Sequence, residues 1–158
     1  MAGKVQPIPE GYRSVTPYLI VKGAVRAIEF YKRALGATEL MRLDGPGGRI
    51  GHAEIKIGDS RIMLADESPQ SGAYAPQSPE RQAVSLLVYV RDVDATFQRA
   101  IEAGAKQLEA VQDKFYGDRM GGFTDPFGHT WYVATHIEDV SLDELKRRAT
   151  AASAKASA

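Results

Sequence analysis

Residues 21–37, VKGAVRAIEFYKRALGA, and residues 90–105, VRDVDATFQRAIEAGA, decide the fold, because they are two versions of one pattern. Each opens on a valine that ends a strand, continues through an amphipathic helix and closes on Gly-Ala, and their first residues stand 69 positions apart. A pattern that recurs at a fixed offset is the mark of a duplicated module. In the first copy Val25, Ile28, Tyr31 and Leu35 are predicted to share one helical face, and in the second Val93, Phe97, Ala100 and Ile101, as a period of 3.6 residues requires. Gly36 and Gly104 follow the last periodic residues, where a left-handed closing conformation favours glycine.

Outward from each helix the chain reads as strands. VTPYLIV (15–21) and AVSLLVYV (83–90) precede the helices and are rich in β-branched and aromatic residues. After the first helix come TELMRL (38–43), RIGHAEIKI (49–57) and RIMLAD (61–66); after the second come KQLEAV (106–111), MGGFT (120–124) and HTWYVATH (129–136). Each copy is therefore β-α-β-β-β, and the expected class is α+β, with modules at 14–67 and 83–137. DGPGG (44–48) joins two strands, which makes it a hairpin turn and not a phosphate loop. ESPQSGAYAPQSPERQ (67–82) reads as the connector. Residues 1–13 form an extension without the apolar core of a secretory signal. At the other end SLDELKRRA carries a capping box, Ser141 with Glu144, and is expected to be a short helix, followed by a low-complexity, disordered tail, TAASAKASA.

Composition removes several classes of function. Basic and acidic residues number 20 each, so no net field draws the protein to nucleic acid or to an anionic membrane. No apolar run approaches the roughly 18 residues that would span a bilayer, and the expected location is cytoplasmic. The absence of cysteine removes disulfides, thiolate metal sites and a cysteine nucleophile. No GxSxG, HExxH or P-loop pattern occurs. A small organic ligand is the partner this composition suits.

The stretches VTPYLIVKGAVRAIEFYKRALGA (15–37), HAEIKIGDSRIMLADE (52–67) and DKFYGDRMGGFTDPFGHTWYVATH (113–136) resemble the vicinal oxygen chelate superfamily, which includes glyoxalase I, bleomycin-resistance proteins and extradiol dioxygenases. They look most like its PhnB-like branch, and the resemblance covers about residues 14 to 137. It implies two half-cup sheets around a central cavity, and a homodimer; whether the modules pair within one chain or across a dimer stays open. It also implies four metal-ligand positions, on the first and fourth strands of each module, which fall here on Thr16, Met63, Ser85 and Tyr132. The offset of 69 links Thr16 to Ser85 and Met63 to Tyr132, an independent check on the register. Two hydroxyls, a thioether and a phenol are a poor set for a divalent cation, since they lack the imidazole and carboxylate donors that offset its dehydration. The expectation is a binding protein without the usual metal site and with no predicted cofactor. A metal-dependent lyase, isomerase or dioxygenase using displaced ligands, His52, Glu54 and His136, remains the alternative.

Strand alternation adds further candidates. His52 and Glu54 share the face of Met63, Arg61 and Lys56, while Ala53, Ile55 and Ile57 turn to the helix. The pair reads either as a general base or hydrogen-bonding clamp, in which the carboxylate orients the imidazole, or as the polar side of an amphipathic strand. Tyr18, Leu87, Tyr89 and Tyr132 share the parity of the ligand positions and suit a flat or amphipathic molecule. His136 reads as a cavity-mouth residue or an exposed strand end, His129 as part of a turn, and Trp131 as core. QDKFYGDR (112–119) is expected to be a long loop that closes as a lid, with Tyr116 over the ligand. Its Arg119 either anchors a ligand anion or forms a salt bridge to Asp118 or Asp125.

Overall fold

The computed structural model describes residues 5–156, so the first four positions of the extension and the last two of the tail lie outside it. The described residues divide into two units, 5–78 and 79–156. Each carries one four-stranded mixed sheet, and the α+β reading with tandem β-α-β-β-β modules is borne out.

In the first unit β1 (Tyr18–Val21), α1 (Ala24–Leu35), β2 (Thr38–Asp44), β3 (Ile50–Ile57) and β4 (Ser60–Asp66) follow in order, and the sheet runs β1-β4-β3-β2. β1 and β4 are parallel, and the other pairs are antiparallel. The second unit repeats this as β5 (Ser85–Tyr89), α2 (Val93–Glu102), β6 (Lys106–Asp113), β7 (Asp118–Thr124) and β8 (Thr130–His136), ordered β5-β8-β7-β6. Tyr18 pairs with Met63 and Leu87 with Tyr132, so the offset of 69 seen in the sequence is the offset of the strand register.

Alternation decides what each strand buries. Leu19, Val21, Ala53, Ile55, Ile57, Ile62 and Leu64 are buried beneath α1, and Trp131, Val133 and Phe123 are buried beneath α2. The helical faces were read less well. In α1 the core face is Ala24, Ala27, Ile28, Tyr31, Ala34 and Leu35, and Val25 is exposed. Ile28, Tyr31 and Leu35 lie on this face as expected, and alanines, whose small side chains let the helix lie close on the sheet, complete it in place of Val25. In α2 Val93, Thr96, Phe97 and Ala100 are buried and Ile101 is only half-buried. Gly36 closes α1 in the left-handed region at φ 66°, as expected.

Each helix starts against the end of its module's last strand. Asp66 accepts the backbone N–H groups of Gly23 and Ala24 with one oxygen, at 2.7 and 2.9 Å, and that of Ile50 with the other at 2.8 Å. Sixty-nine residues on, Thr135 Oγ1 accepts the Val93 N–H at 3.0 Å and donates to the Val90 carbonyl at 2.9 Å. Both satisfy amide groups that a helix leaves without internal partners.

Several boundaries differ from the sequence expectation. β1 begins at Tyr18, not residue 15, since Pro17 has no N–H for the ladder and contributes only its carbonyl, to Met63 N–H at 3.0 Å. β5 spans Ser85–Tyr89 within the expected 83–90. The long loop at 112–119 is absent: β6 runs to Asp113, β7 starts at Asp118, and a four-residue turn joins them. That turn is closed by Lys114 N–H to the Asp118 carbonyl at 2.7 Å and Gly117 N–H to the Lys114 carbonyl at 3.1 Å. The C-terminal helix, α3, runs from Leu142 to Ala156 through most of the segment expected to be disordered. Its alanines favour helix as strongly as low complexity suggested disorder.

Candidate functional site

The polar face of the first sheet carries a connected cluster. The hydroxyl of Tyr18, at the start of β1, is hydrogen-bonded to His52 Nδ1 at 2.8 Å, and the two rings lie 5.5 Å apart. His52 Nε2 stands 3.4 Å from Glu54 Oε1, long for a hydrogen bond, and the other Glu54 oxygen lies 3.6 Å from Arg61 Nη1. The Arg61 guanidinium stacks on the Tyr12 ring at 4.6 Å, a cation–π contact that brings the N-terminal extension onto this face. The Tyr12 hydroxyl is buried beside Glu54 and Arg61 and misses the geometry of a formed hydrogen bond to either. Its proximity is still the largest influence holding the Glu54 carboxyl below the usual range, followed, once the opposing effect of burial is set aside, by His52 and Arg61. Burial raises the Tyr18 phenol, and burial followed by Glu54 raises that of Tyr12. Glu54 is thus a carboxylate in a cluster of donors, and it faces Met63 across the β3–β4 ladder.

The equivalent face of the second sheet has different chemistry. Asp118, only 5% exposed, accepts from the Tyr89 hydroxyl at 2.8 Å and holds His136 Nδ1 at 2.7 Å. His136 Nε2 meets Asp139 at 2.9 Å. The imidazole thus lies between two carboxylates, and its pKa is raised, by Asp118 first and then Asp139. A histidine in the unfolded chain titrates near about 6.5. The stabilisation from this contact is therefore complete below that pH, and it is lost as pH rises through the higher folded value. Calorimetric scans should show wild-type melting falling, as pH rises above about 6.5, by a component that His136→Gln lacks; parallel curves for the two proteins would refute it.

The remaining candidates are placed as follows. Thr16 precedes β1, Ser85 opens β5 opposite Thr130, Leu87 is exposed on β5, and Tyr132 stands opposite it on β8. The Tyr132 ring lies over Gly122, where an added Cβ would come within 2.6 Å of it. Tyr116 lies in the short β6–β7 turn, stacks edge-on against Phe115 at 5.3 Å and points its hydroxyl at Met120 Sδ, 3.6 Å away. Arg119 pairs with Asp94 through two bonds of 2.8 Å and with Asp113 at 2.9 Å, and not with the expected Asp118 or Asp125. It ties β7 to the first turn of α2. His129 sits in the turn around Asp125, and Trp131 is core, as read from the sequence.

Sequence reasoning missed Tyr12, Asp118 and Asp139. The cation–π contact of Tyr12 joins residues 49 apart in the chain and leaves no local pattern. Asp118 was assigned to a loop, and correct placement of the strand start would have given it the parity of His136.

A profile of the Glyoxalase/Bleomycin resistance protein/Dioxygenase superfamily matches residues 14–133. The chain belongs to this superfamily. A protein of Mycobacterium bovis, Mb0911c, is 39% identical over 149 residues, covering 92% of this chain and 94% of its own. The Arabidopsis thaliana protein At5g48480 is 30% identical over 127 residues, and its crystal structure superposes with a TM-score of 0.63 over 78% of this chain and 98% of that one. TioX from Micromonospora sp. ML1 matches at 25% identity with a TM-score of 0.61, over 82% of this chain and all of its own. Thr16, Met63, Ser85 and Tyr132 offer no imidazole and no carboxylate, so these four residues do not fit a divalent metal. Among the described residues no group of three or more His, Asp or Glu side chains is placed to hold one. His52 and Glu54 belong to the first unit and His136 to the second. Asp118 and Asp139 bind different ring nitrogens of His136, which directs them to opposite edges of the imidazole. No described helix is long and apolar enough to cross a membrane.

Proposed function

We propose that this superfamily member is PhnB-like and binds a small organic molecule on the polar face carrying His52 and Glu54, without the divalent metal of the metal-using branches. The observation that carries the reading is the exchange of chemistry on that face. The four positions where the superfamily places metal donors hold Thr16, Met63, Ser85 and Tyr132, while a linked acid–base cluster occupies the neighbouring strand. Tyr18 and Met63 give the face an apolar floor, and Glu54, His52 and Arg61 give it fixed polar groups, the combination that orients a small ligand. The stretches at 15–37, 52–67 and 113–136 support the branch.

Elemental analysis of untreated protein and a thermal-shift panel of small carbonyl and phenolic compounds test the reading. Substoichiometric divalent metal, melting unchanged by chelator, and at least one stabilising compound are expected. A ligand at a hundred times its Kd stabilises the native state by about 2.7 kcal/mol. One tightly held divalent ion per chain, lost in His52→Ala, would instead favour a metal-dependent reading with His52 as a ligand.

The protein is further proposed to be a cytoplasmic homodimer. β1 and β2 are edge strands of the first sheet and β5 and β6 of the second, and edges of this kind favour pairing with another chain. Light scattering should give twice the chain mass of 17.2 kDa, and a monomer at all concentrations would reject the dimer.

A further inference from the structure

We propose that Glu54, His52 and Tyr18 form a proton relay that ends in the Tyr18 hydroxyl and deprotonates a small Brønsted acid, an O–H or carbonyl-activated C–H compound. The proposal rests on the reading of the first sheet's polar face as the binding face. It assigns an order to the three groups and a direction to the proton, neither of which follows from a His–Glu pair alone.

The order comes from donor and acceptor bookkeeping. Glu54 is ionised beside Arg61 and can only accept, so the His52 nitrogen facing it, Nε2, carries the hydrogen. In neutral imidazole the other nitrogen is then a lone-pair acceptor, and the group presented to it is the Tyr18 hydroxyl at 2.8 Å. The hydroxyl spends its proton on His52 and leaves its own lone pairs for an incoming group. The carboxylate orients the imidazole, the imidazole is the base, and the phenol is the end of the chain, at a residue that is 47% exposed. The 3.4 Å separation of His52 from Glu54 is the loose link, of a kind that tightens when the imidazole becomes charged.

The step balances without a co-reactant. A substrate proton passes to Tyr18 Oη as the Tyr18 proton passes to His52 Nδ1. The electron pair of the broken O–H or C–H bond stays on the substrate as an oxyanion or enolate. The imidazolium formed lies next to the Glu54 carboxylate, and Arg61, on the same face of β4, leaves the cluster net positive by one charge at that moment. Return of the proton to the same or another atom restores the resting state, so the reaction class is proton transfer or isomerisation.

The duplicated module supplies an internal comparison. Tyr89 also donates from its hydroxyl, but directly to the Asp118 carboxylate, with no imidazole between. Tyr74, 59% exposed, has only the Pro69 carbonyl at 3.5 Å. If reactivity followed exposure, Tyr89, at 61%, and Tyr74 would both lead Tyr18; under the relay Tyr18 leads.

N-acetylimidazole tests this on the intact protein, because it acetylates phenols. The Oη–acyl bond forms, the acyl–nitrogen bond breaks, imidazole leaves, and the phenol proton goes to the nearest base. Mass spectrometry should show Tyr18 acetylated at least tenfold faster than Tyr74, with His52→Phe reducing it to the Tyr74 rate. Labelling of Tyr31, fully buried in the folded protein, reports any variant that fails to fold. Should His52→Phe do so, Glu54→Gln decides in its place, through a labelling rate reduced several-fold. Nitrogen-15 NMR of His52 gives a second readout: Nε2 protonated and Nδ1 bare in the wild type, with that preference lost in Glu54→Gln and restored in Glu54→Asp. Tyr18 reacting no faster than Tyr74, or a neutral His52 protonated at Nδ1, would overturn the relay. Its outcome is separate from that of the binding reading: a panel without a stabilising compound defeats binding while leaving the Tyr18 rate and the His52 tautomer as they are.

Discussion

Trp131→Ala is expected to destabilise the protein by about 3–5 kcal/mol, the range for deleting a large aromatic from a core. The indole is fully buried on the helix side of β8, opposite Phe123 in the ladder and Leu86 on the parallel side. Its Nε1–H donates to Asp125 at 2.9 Å, and the same carboxylate accepts the backbone N–H groups of Phe127 and His129, so the indole and the β7–β8 turn share one acceptor. Alanine would leave a cavity and withdraw one donor from a buried carboxylate, two costs of different origin. For a chain of this size the loss corresponds to a melting temperature lower by roughly 6–20 °C. Trp131→Phe, which keeps most of the volume and loses the donor, should recover more than half of the deficit. Thermal melts of the two variants separate the terms, and a Trp131→Ala protein melting within a degree or two of wild type would contradict the core assignment.

Gly117→Ala should cost about 2–4 kcal/mol, much for a single methyl group in a turn. Gly117 holds φ at 97°, where an L side chain is strained by about 1–2 kcal/mol. An added Cβ would also stand 2.1 Å from the Glu138 carbonyl oxygen, which is backbone and cannot rotate away. The segment behind β8 must then move, and it is fastened to this residue: Ile137 and Glu138 both donate their N–H groups to the Gly117 carbonyl, at 2.9 and 3.0 Å. Each such bond contributes about 0.5–1.5 kcal/mol net. Arg148 of α3 grips Glu138 through two bonds and reaches the Phe115 carbonyl, so the disturbance should extend into the helix. Hydrogen exchange at the Ile137 and Glu138 amides provides the local measurement, with faster exchange expected there and unchanged exchange in β3. Wild-type protection at those two amides would show that the turn tolerates a side chain.

The fold was legible because its evidence is periodic. Two helices with glycine ends at an offset of 69, and strands with alternating burial, survive any local misreading, and Met63 and Tyr132 came out opposite Tyr18 and Leu87 as the offset required. The face shared by His52 and Glu54 was likewise legible from parity. The contacts that give those residues partners were not. Tyr18 reaches His52 across a strand that separates β1 from β3, and Tyr12 reaches Arg61 from the extension that precedes the first module. Arg119 illustrates the limit in the other direction. Its neighbours in sequence, Asp118 and Asp125, suggested the pairing, but Asp118 points to the opposite face of β7 and Asp94 at the start of α2 lies on the Arg119 side. Two strand boundaries, each moved by two residues, turned an apparent lid into a hairpin.

The ring of Tyr132 over Gly122 bears on how the two halves of the gene can still change. In the strand register Gly122 is the counterpart of Glu54, since the first faces Tyr132 and the second faces Met63. Met120, opposite Ala134, is likewise the counterpart of His52. With the phenol ring within 2.6 Å of any Cβ at 122, a carboxylate there requires Tyr132 to swing aside or to be replaced by something smaller. Neither mutation alone regenerates an acid–base pair in the second copy, and the first to arise would only loosen a packed ring. The backbone symmetry of the two modules therefore persists while their chemistry is separated by changes at positions 120 and 122 together with room made by Tyr132, so no single mutation in the second copy reproduces the His–Glu pair of the first.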